Sequence, residues 1–232
     1  MLEEILQSGF EALELTPDRA AIGRYRKYYE RLDEVNRVMN LTAISGEEDT
    51  ARLHFLDCAA ILAHVDMRGA RVIDVGTGAG FPGLALKIAQ PDISLTLLDS
   101  LDKRIGFLRD TVETLELGDV ECVHARAEEA AQKRRESYDF ATARAVARLE
   151  VLCELCLPFV RVGGYFLAMK GSAAGEELAE AKRAVSLLGG RVEFCRDYEI
   201  DGAPRTVIGI RKEKPTPPQY PRRFAKIKQS PL

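Results

Sequence analysis

A glycine-rich segment is the part of this sequence whose residue types and spacing most clearly predict chemistry. Glycines stand at positions 76, 78, 80 and 83, directly after a run of strand-forming residues. Glycine lets the backbone turn sharply and approach a ligand closely, and the N–H groups of a following helix can bind an anionic group. Asp99 stands 21 residues after Gly78, where a carboxylate can accept hydrogen bonds from both hydroxyls of a ribose. The loop and Asp99 together predict a site for a nucleoside-containing ligand.

Two ligand classes fit this loop. Gly78-x-Gly80-x-x-Gly83 matches the dinucleotide fingerprint by spacing, which would indicate a nicotinamide-dependent oxidoreductase. The stretch Asp-Val-Gly-x-Gly-x-Gly, beginning at Asp74, is instead similar to the first motif of class I S-adenosylmethionine-dependent methyltransferases. A phosphate-binding P-loop is excluded, because no Gly-Lys-Ser or Gly-Lys-Thr follows the glycines. The loop alone leaves both interpretations open.

The elements that must position this loop alternate between short strands and helices after residue 69. Strands are predicted at residues 71–75, 94–99, 120–124, 138–143, 165–169, 191–200 and 205–210. Helices separate the first six, and the last two form an apparent hairpin around Asp201-Gly202. This alternation predicts an α/β fold with a mainly parallel, doubly wound sheet and right-handed crossovers. A seventh, antiparallel strand also suits the class I methyltransferase fold, which is Rossmann-like.

The chain divides into three predicted parts. Residues 1–66 form an N-terminal helical segment that packs on a methyltransferase domain at residues 67–214, and residues 215–232 form a basic C-terminal tail. In the helical segment, Thr16-Pro17-Asp18 is typical of a helix start. Apolar residues then recur at spacings of three and four, which predicts one buried helix face. That face carries Tyr25, Tyr29, Leu32, Val35 and Met39.

Charge is distributed unevenly along the chain. Its formal net charge is −3, yet residues 211–232 carry seven Lys or Arg against one acid, which is +6 locally and leaves −9 on the rest. A basic tail on an acidic body often marks an anionic partner, although a solvated tail that aids solubility is the alternative. No window approaches a membrane span, and the acidic start at Glu3-Glu4 is not a signal peptide. Five scattered cysteines favour a reducing cytoplasm, and Cys153-x-x-Cys156 lacks a second ligand pair, so no metal site is expected.

A set of motifs spread along the chain resembles one family. The motifs are, in order, Asn40–Ile44, His54–Asp57, Asp74–Gly83, Leu98–Leu108, Arg144-Ala145, Lys170-Gly171, Tyr220–Arg223 and Ser230–Leu232. In this combination the sequence is similar to the RsmG (GidB) family of bacterial small-subunit ribosomal RNA methyltransferases, from about residue 20 to the last residue. Cys58 departs from the family, which usually has Ser after His-x-x-Asp.

The resemblance implies transfer of a methyl group from S-adenosylmethionine to N7 of a guanine at one position of 16S ribosomal RNA in the small ribosomal subunit. Carried over by position, the cofactor contacts are Gly76, Gly78, Phe81, Asp99, Ala127, Glu128 and Arg144. The glycines would contact it through their backbone, Asp99 at the ribose, Ala127 and Glu128 at the adenine, and Arg144 at the methionine end. Phe81 could instead be core, Glu128 solvated surface, and Arg144 half of a structural ion pair.

The RNA is expected to contact the tail. Arg222, Arg223 and Lys226 would bind phosphates, Tyr220 and Phe224 could stack on unpaired bases, and Lys170 is a second candidate contact. The tail is expected to be independent of the cofactor site, which lies at the first strand.

No catalytic residue is assigned, because guanine N7 offers a lone pair and carries no proton to remove. The remaining alternatives are a class I methyltransferase of a small molecule, the oxidoreductase, and a non-catalytic RNA-binding module.

Overall fold

A seven-stranded sheet forms the centre of the computed structural model, which describes residues 1–144 and 146–232. The strands lie in the order β3-β2-β1-β4-β5-β7-β6. β1 to β5 are parallel, and β7 runs antiparallel to both β5 and β6. The predicted class I methyltransferase fold is therefore confirmed. The strands are β1 (Arg71–Val75), β2 (Ser94–Asp99), β3 (Val120–His124), β4 (Tyr138–Arg144), β5 (Val160–Lys170), β6 (Gly190–Ile200) and β7 (Ala203–Lys212).

Helices cover both faces of the sheet and precede it. After α2 and a break, a continuous helical segment changes hydrogen-bonding pattern along its length: α3 is followed by a π-helical turn at Ala51–Leu56, then α4 and a 3-10 turn at Ala60–Ala63. No helix in the described part of the chain is long and apolar enough to cross a membrane. The α-helices are α1 (Leu2–Ala12), α2 (Arg19–Met39), α3 (Glu47–Thr50), α4 (Asp57–Ala59), α5 (Gly83–Ala89), α6 (Asp102–Thr114), α7 (Ala127–Lys133), α8 (Leu149–Cys156), α9 (Ala174–Leu187) and α10 (Phe224–Gln229).

Helix α2 holds the N-terminal segment against the glycine-rich loop. It begins after Asp18, whose carboxylate accepts a hydrogen bond from the Ala21 N–H at 2.7 Å. Two residues of the predicted face, Tyr25 and Leu32, are buried, and Tyr28, which the prediction omits, is fully buried whereas Tyr29 is only partly buried. The buried Tyr28 hydroxyl has a hydrogen-bond partner, because it donates to the carbonyl of Ala79, in the glycine-rich loop, at 2.5 Å. The same side chain thus fills the core and fixes the loop backbone.

The C-terminal segment, residues 213–232, packs on the methyltransferase domain instead of standing apart from it. The Arg135 guanidinium donates to the carbonyl oxygens of Thr216, Pro217 and Tyr220. Ile227 in α10 is fully buried in the core that includes α8. The segment thus buries apolar side chains and satisfies its backbone carbonyls against the domain, while its independence from the cofactor site stays a prediction.

Candidate active site

A cleft at the carboxyl ends of β1, β2 and β4 contains three neighbouring cavities. The loop cavity, of about 430 Å³, follows the glycine-rich loop; the small cavity, of about 130 Å³, lies toward α7; and the large cavity, of about 550 Å³, lies toward β5 and α9. Val146 lines all three, and Arg144 and His54 line both the loop cavity and the large cavity. A ligand in one cavity therefore adjoins a ligand in the next.

The glycine-rich loop needs glycine for two different reasons. Gly76 has φ +73°, and a Cβ there would lie 2.9 Å from the Val146 side chain. Gly78 has φ +61°, and a Cβ there would meet no atom within 4 Å. Left-handed backbone is strained for other residues at both positions, and only at Gly76 is the space also filled. Gly78 thus presents bare backbone to the open loop cavity, a surface on which a flat or extended ligand can lie.

The Asp74 carboxyl group, in β1, forms hydrogen bonds with the glycine-rich loop and with β4. Its carboxylate accepts a hydrogen bond from the Gly83 N–H at 2.9 Å and another from the Thr142 hydroxyl at 3.2 Å. The side chain is completely buried, and that burial raises the pKa of Asp74 to about 6, against the opposing effect of these hydrogen bonds. One buried carboxyl group in β1 therefore binds both the end of the loop, at Gly83, and the neighbouring strand β4, at Thr142.

Asp99, at the end of β2, faces the same cavity. One carboxylate oxygen accepts from the Gly78 N–H at 3.0 Å and from the Arg104 guanidinium at 3.3 Å, and the other accepts from the Leu101 N–H at 2.9 Å. An ionised carboxylate has about four acceptor positions, so three donors leave one for a ligand hydroxyl. The loop backbone and this carboxylate thus line one cavity, and their role in binding a nucleoside stays a prediction.

Arg144, at the end of β4, connects the sheet to the N-terminal helical segment. Its guanidinium donates to the Asp57 carboxylate at 3.1 Å, the Leu53 carbonyl at 2.9 Å and the His54 Nδ1 at 2.6 Å. Arg144 therefore forms the structural ion pair that was its alternative interpretation, with Asp57 as the partner. Arg144 also lines two cavities, so the pairing fixes its position at the cleft.

His54 has a defined protonation state in this cluster. Because a guanidinium can only donate, His54 Nδ1 must be an unprotonated acceptor, and Nε2 carries the hydrogen that it donates to the Thr42 hydroxyl at 2.9 Å. Burial, reinforced by the charge of Arg144, lowers the pKa of His54 to about 3. The imidazole is therefore neutral at neutral pH and links Arg144 to the loop after α2.

Phe81 serves as core and as cleft lining at once. Its ring stacks on the His54 imidazole with centroids 4.2 Å apart, and the Arg144 guanidinium lies 5.0 Å from its centroid. Sequence reasoning placed Phe81 and Arg144 here but assigned no role to His54 or Asp57. The available signal was the His-x-x-Asp spacing: His54 lies in the π-helical turn, Asp57 begins α4, and both side chains contact the Arg144 guanidinium.

The small cavity collects the residues predicted to border the adenine. Ala127 and Glu128, at the start of α7, line it together with Asp99. Phe224, the first residue of α10, also lines it, and the Phe224 N–H donates to the Glu128 carboxylate at 3.3 Å. Sequence reasoning missed this placement, because it grouped Phe224 with the RNA-contacting tail.

Two of the four predicted RNA contacts are occupied within the protein. The Lys170 ammonium donates to the Ala147 carbonyl at 2.7 Å and lies 2.6 Å from the Glu177 carboxylate. Arg222 pairs with Glu154, whose side chain is completely buried. Each of these charges therefore already has a partner within the protein, and their role in binding phosphate stays a prediction. Arg223 and Lys226 are exposed, and their role stays a prediction.

Metal-ligating residues are dispersed. Among residues 1–144 and 146–232, no group of three or more His, Cys, Asp or Glu side chains is arranged to hold a metal ion. Cys153 and Cys156 are fully buried in α8, and burial raises the pKa of both thiols. These two cysteines are inert core side chains under ordinary conditions.

Known proteins resemble this chain at two levels. The GidB family, described as rRNA small subunit methyltransferase G, matches residues 22–202. Proteins named ribosomal RNA small subunit methyltransferase G are 46% identical in Alkaliphilus oremlandii, covering 100% of this chain and 99% of that protein, and 46% identical in Staphylococcus carnosus, covering 90% of each.

Solved structures show the fold alone. TrmN from Thermus thermophilus has a TM-score of 0.57 at 23% identity, covering 77% of this chain and 53% of that one. A SAM-dependent methyltransferase from Aquifex aeolicus has a TM-score of 0.53 at 18% identity, covering 78% of this chain and 96% of that one.

Proposed function

This chain belongs to the rRNA small subunit methyltransferase G family, and from that premise we propose that it methylates N7 of a guanine in 16S ribosomal RNA of the small subunit, in the cytoplasm. The family makes it an S-adenosylmethionine-dependent ribosomal RNA methyltransferase. Beyond family membership, we propose the target atom, the RNA partner and the roles of the residues in the cleft. The observation that carries it is the cleft, in which a nucleoside site at the glycine-rich loop adjoins a second cavity large enough for a base.

The residues of the loop and small cavities fit S-adenosylmethionine. Gly76 and Gly78 would hold it by backbone contacts, because the space over Gly78 is open and its N–H points at the Asp99 carboxylate. Asp99 would accept from the ribose, with one acceptor position still available. Ala127 and Glu128 would border the adenine in the small cavity. When bound, the cofactor supplies a methyl group on a positively charged sulfur.

Arg144 and Phe81 would define the methionine end. The Arg144 guanidinium is fixed by Asp57 and His54 at the boundary of the loop cavity and the large cavity, where it can bind a carboxylate. Phe81 supplies an apolar surface beside it. Because these groups are held before any ligand arrives, little ordering cost remains to be met on binding.

The large cavity is the proposed place of the guanine. Methyl transfer from a sulfonium is an in-line displacement, so the rate depends on placing the nucleophilic nitrogen behind the methyl group. The shared lining of the two cavities supports that placement. N7 carries no proton, so no general base is required. In agreement, His54 has both ring nitrogens engaged and is neutral.

The experiment is methylation of 16S RNA in small subunits by the purified protein, followed by mapping of the modified base. We expect one methylated guanine, with the methyl group on N7. With saturating RNA, kcat should be nearly flat from about pH 6.5 to 8.5, because no base must lose a proton. Methylation at an exocyclic amine, or a tenfold rise in a rate-limiting transfer step per pH unit, would contradict the proposal. Calorimetry should detect S-adenosylmethionine binding and no NAD binding.

A further inference from the structure

The C-terminal segment contributes to the small cavity as well as covering the domain surface. We propose that Phe224 is a cofactor-positioning residue: its ring forms the wall against which the adenine of S-adenosylmethionine packs, so the end of the chain completes the cofactor site. The inference rests on the adenine position given under Proposed function. It replaces the interpretation of Phe224 as a side chain that stacks on RNA bases.

The lining of the small cavity supports this role. Most of the lining side chains are apolar, among them Val75, Leu98, Ala125, Leu155 and Phe224. The acidic lining residues are Asp99 and Glu128. Adenine is flat and largely apolar on its faces, and it carries ribose at one edge. A narrow apolar cavity with a ribose-binding carboxylate at its boundary with the loop cavity matches that shape. Phe224 is the one aromatic ring among the residues that line it.

The position of Phe224 is fixed from both sides. Two residues before it in the chain, Arg222 binds the buried Glu154 of α8 through its backbone N–H at 2.8 Å and its guanidinium at 2.6 Å. Phe224 itself binds Glu128 through its backbone N–H, and three residues later Ile227 is fully buried. The ring is therefore held over the cavity by contacts on each side of it, which a freely moving tail would lack.

Stacking of the Phe224 ring on the adenine would stabilise the bound cofactor. Contact between a base and an aromatic side chain contributes enough affinity that its removal weakens binding roughly five- to one-hundred-fold. Glu128 also gains a second function in this arrangement, because its carboxylate orients the start of α10 while its side chain borders the cavity. The exposed Arg223 and Lys226 remain on the solvent side of the same segment.

The test uses the absence of tryptophan from this chain. Phe224→Trp places a single tryptophan, which can be excited selectively over the tyrosines, at the proposed wall, and Gln229→Trp places one at an exposed position in the same helix. Titration with S-adenosylmethionine, without RNA, should change the Phe224→Trp fluorescence with the same Kd that calorimetry gives. The Gln229→Trp fluorescence should stay constant while calorimetry shows the same binding.

A truncation of the side chain gives the second measurement. Phe224→Ala should weaken binding of S-adenosylmethionine roughly five- to one-hundred-fold, and should weaken 5′-methylthioadenosine, which lacks the amino-acid end, by the same factor. Phe224→Leu should recover only part of the loss, and Gln229→Ala should bind normally. Circular dichroism and thermal unfolding identify any variant that does not fold.

Two results would overturn the inference. One is constant Phe224→Trp fluorescence across a titration in which calorimetry shows saturation. The other is unchanged affinity of folded Phe224→Ala for both ligands. Failure of the proposed function looks different, because S-adenosylmethionine would still bind and the fluorescence would still respond, while no guanine N7 methylation would be found on 16S RNA.

Discussion

Two buried carboxylates, on opposite sides of the cofactor cleft, each hold an arginine from a distant part of the chain. Asp57 pairs with Arg144 on the side of the N-terminal helical segment, and Glu154 pairs with Arg222 on the side of the C-terminal segment. Arg144 lies at the proposed methionine end of the cleft, and Arg222 stands two residues before Phe224, the ring at the proposed adenine end. The two pairs nevertheless differ in how many elements support them.

Asp57 receives donors from three strands, whereas Glu154 receives them from one residue. Besides Arg144, the Asp57 carboxylate accepts from the Tyr198 hydroxyl at 2.9 Å and lies 3.5 Å from the Arg205 guanidinium. Every hydrogen bond to Glu154 comes from Arg222 in the part of the chain that the structure describes. Loss of one donor therefore leaves Asp57 with a cationic partner, whereas loss of the Arg222 guanidinium leaves the buried Glu154 carboxylate with only the backbone N–H of residue 222 as a donor. The cleft has one redundant side and one side that depends on a single contact.

Arg222→Ala should show the largest effect. Removing one partner of a buried ion pair costs about 3–5 kcal/mol, and the partial exposure of Arg222 favours the lower end, about 3 kcal/mol. Urea unfolding measures it. The neighbouring Arg223→Ala is the matched control, since Arg223 is exposed, and it should change the free energy of unfolding by less than about 0.5 kcal/mol. Equal effects of the two substitutions would mean that the Glu154 pair does not form.

Asp99→Asn tests the proposed ribose site. Asp99 lines both the loop cavity and the small cavity, so it lies between the two sides of the cleft. The change keeps the shape and removes the charge that strengthens a hydrogen bond from ribose. We expect a loss of about 1.5–3 kcal/mol in binding free energy, or about ten- to one-hundred-fold in affinity for S-adenosylmethionine. Calorimetry on the folded variant measures it. An unchanged Kd would remove Asp99 from the ribose site.

His54→Asn should change the pH dependence of the free energy of unfolding. His54 lies on the Asp57 side of the cleft, where it contacts Arg144. Unfolded histidine binds a proton below about pH 6.5, whereas folded His54 does so only near pH 3, so acidification between these values favours the unfolded state. The wild type should therefore lose up to about 1.4 kcal/mol per pH unit more than the variant as pH falls from 6.5 toward 4.

The comparison between variants is needed because Asp74 acts with the opposite sign. Its pKa is raised to about 6 in the folded state, so acidification from pH 6 to about 4 favours folding and offsets the effect of His54 in the wild type. Urea midpoints measured across this range for wild type and His54→Asn separate the two groups. Parallel curves would show that His54 binds its proton at an ordinary pH.

Tyr198→Phe should have a small effect, because it removes one of three donors to Asp57. The carboxylate keeps Arg144 and Arg205, so we expect about 1 kcal/mol, the net contribution of one hydrogen bond. Urea unfolding in parallel with Arg222→Ala compares the two sides directly. A loss as large as that of Arg222→Ala would show that Asp57 is no more redundant than Glu154.

Replacing Arg223, Lys226 and Lys228 together with Ala should change stability least, since all three side chains are exposed. Each phosphate neutralised adds about −0.7 to −0.9 to the slope of log affinity against log salt, so RNA binding should lose about two to three units of slope. Affinity for S-adenosylmethionine should stay constant. An unchanged salt slope would place the RNA surface elsewhere.

Several features follow from the sequence by itself. The glycine spacing, the acid at the end of β2 and the alternation of strands and helices predict the cleft and the order of its elements. These are local patterns, in which neighbouring residues carry the whole signal: positive φ needs glycine, and buried strands need apolar runs. Gly76, Gly78 and Asp99 accordingly lie together at the cleft, and Ala127 and Glu128, which only the family resemblance indicated, lie beside them.

Only the tertiary structure decided which charges are free. Lys170, Arg222 and Arg223 are all basic residues in the sequence, yet the first two are paired with Glu177 and Glu154, and the third is exposed. Arg222 and Glu154 are 68 positions apart, so no spacing rule connects them. Whether a charge meets RNA or a buried carboxylate depends on which distant element packs beside it, and packing is set by the burial of apolar residues such as Ile227 across the whole domain.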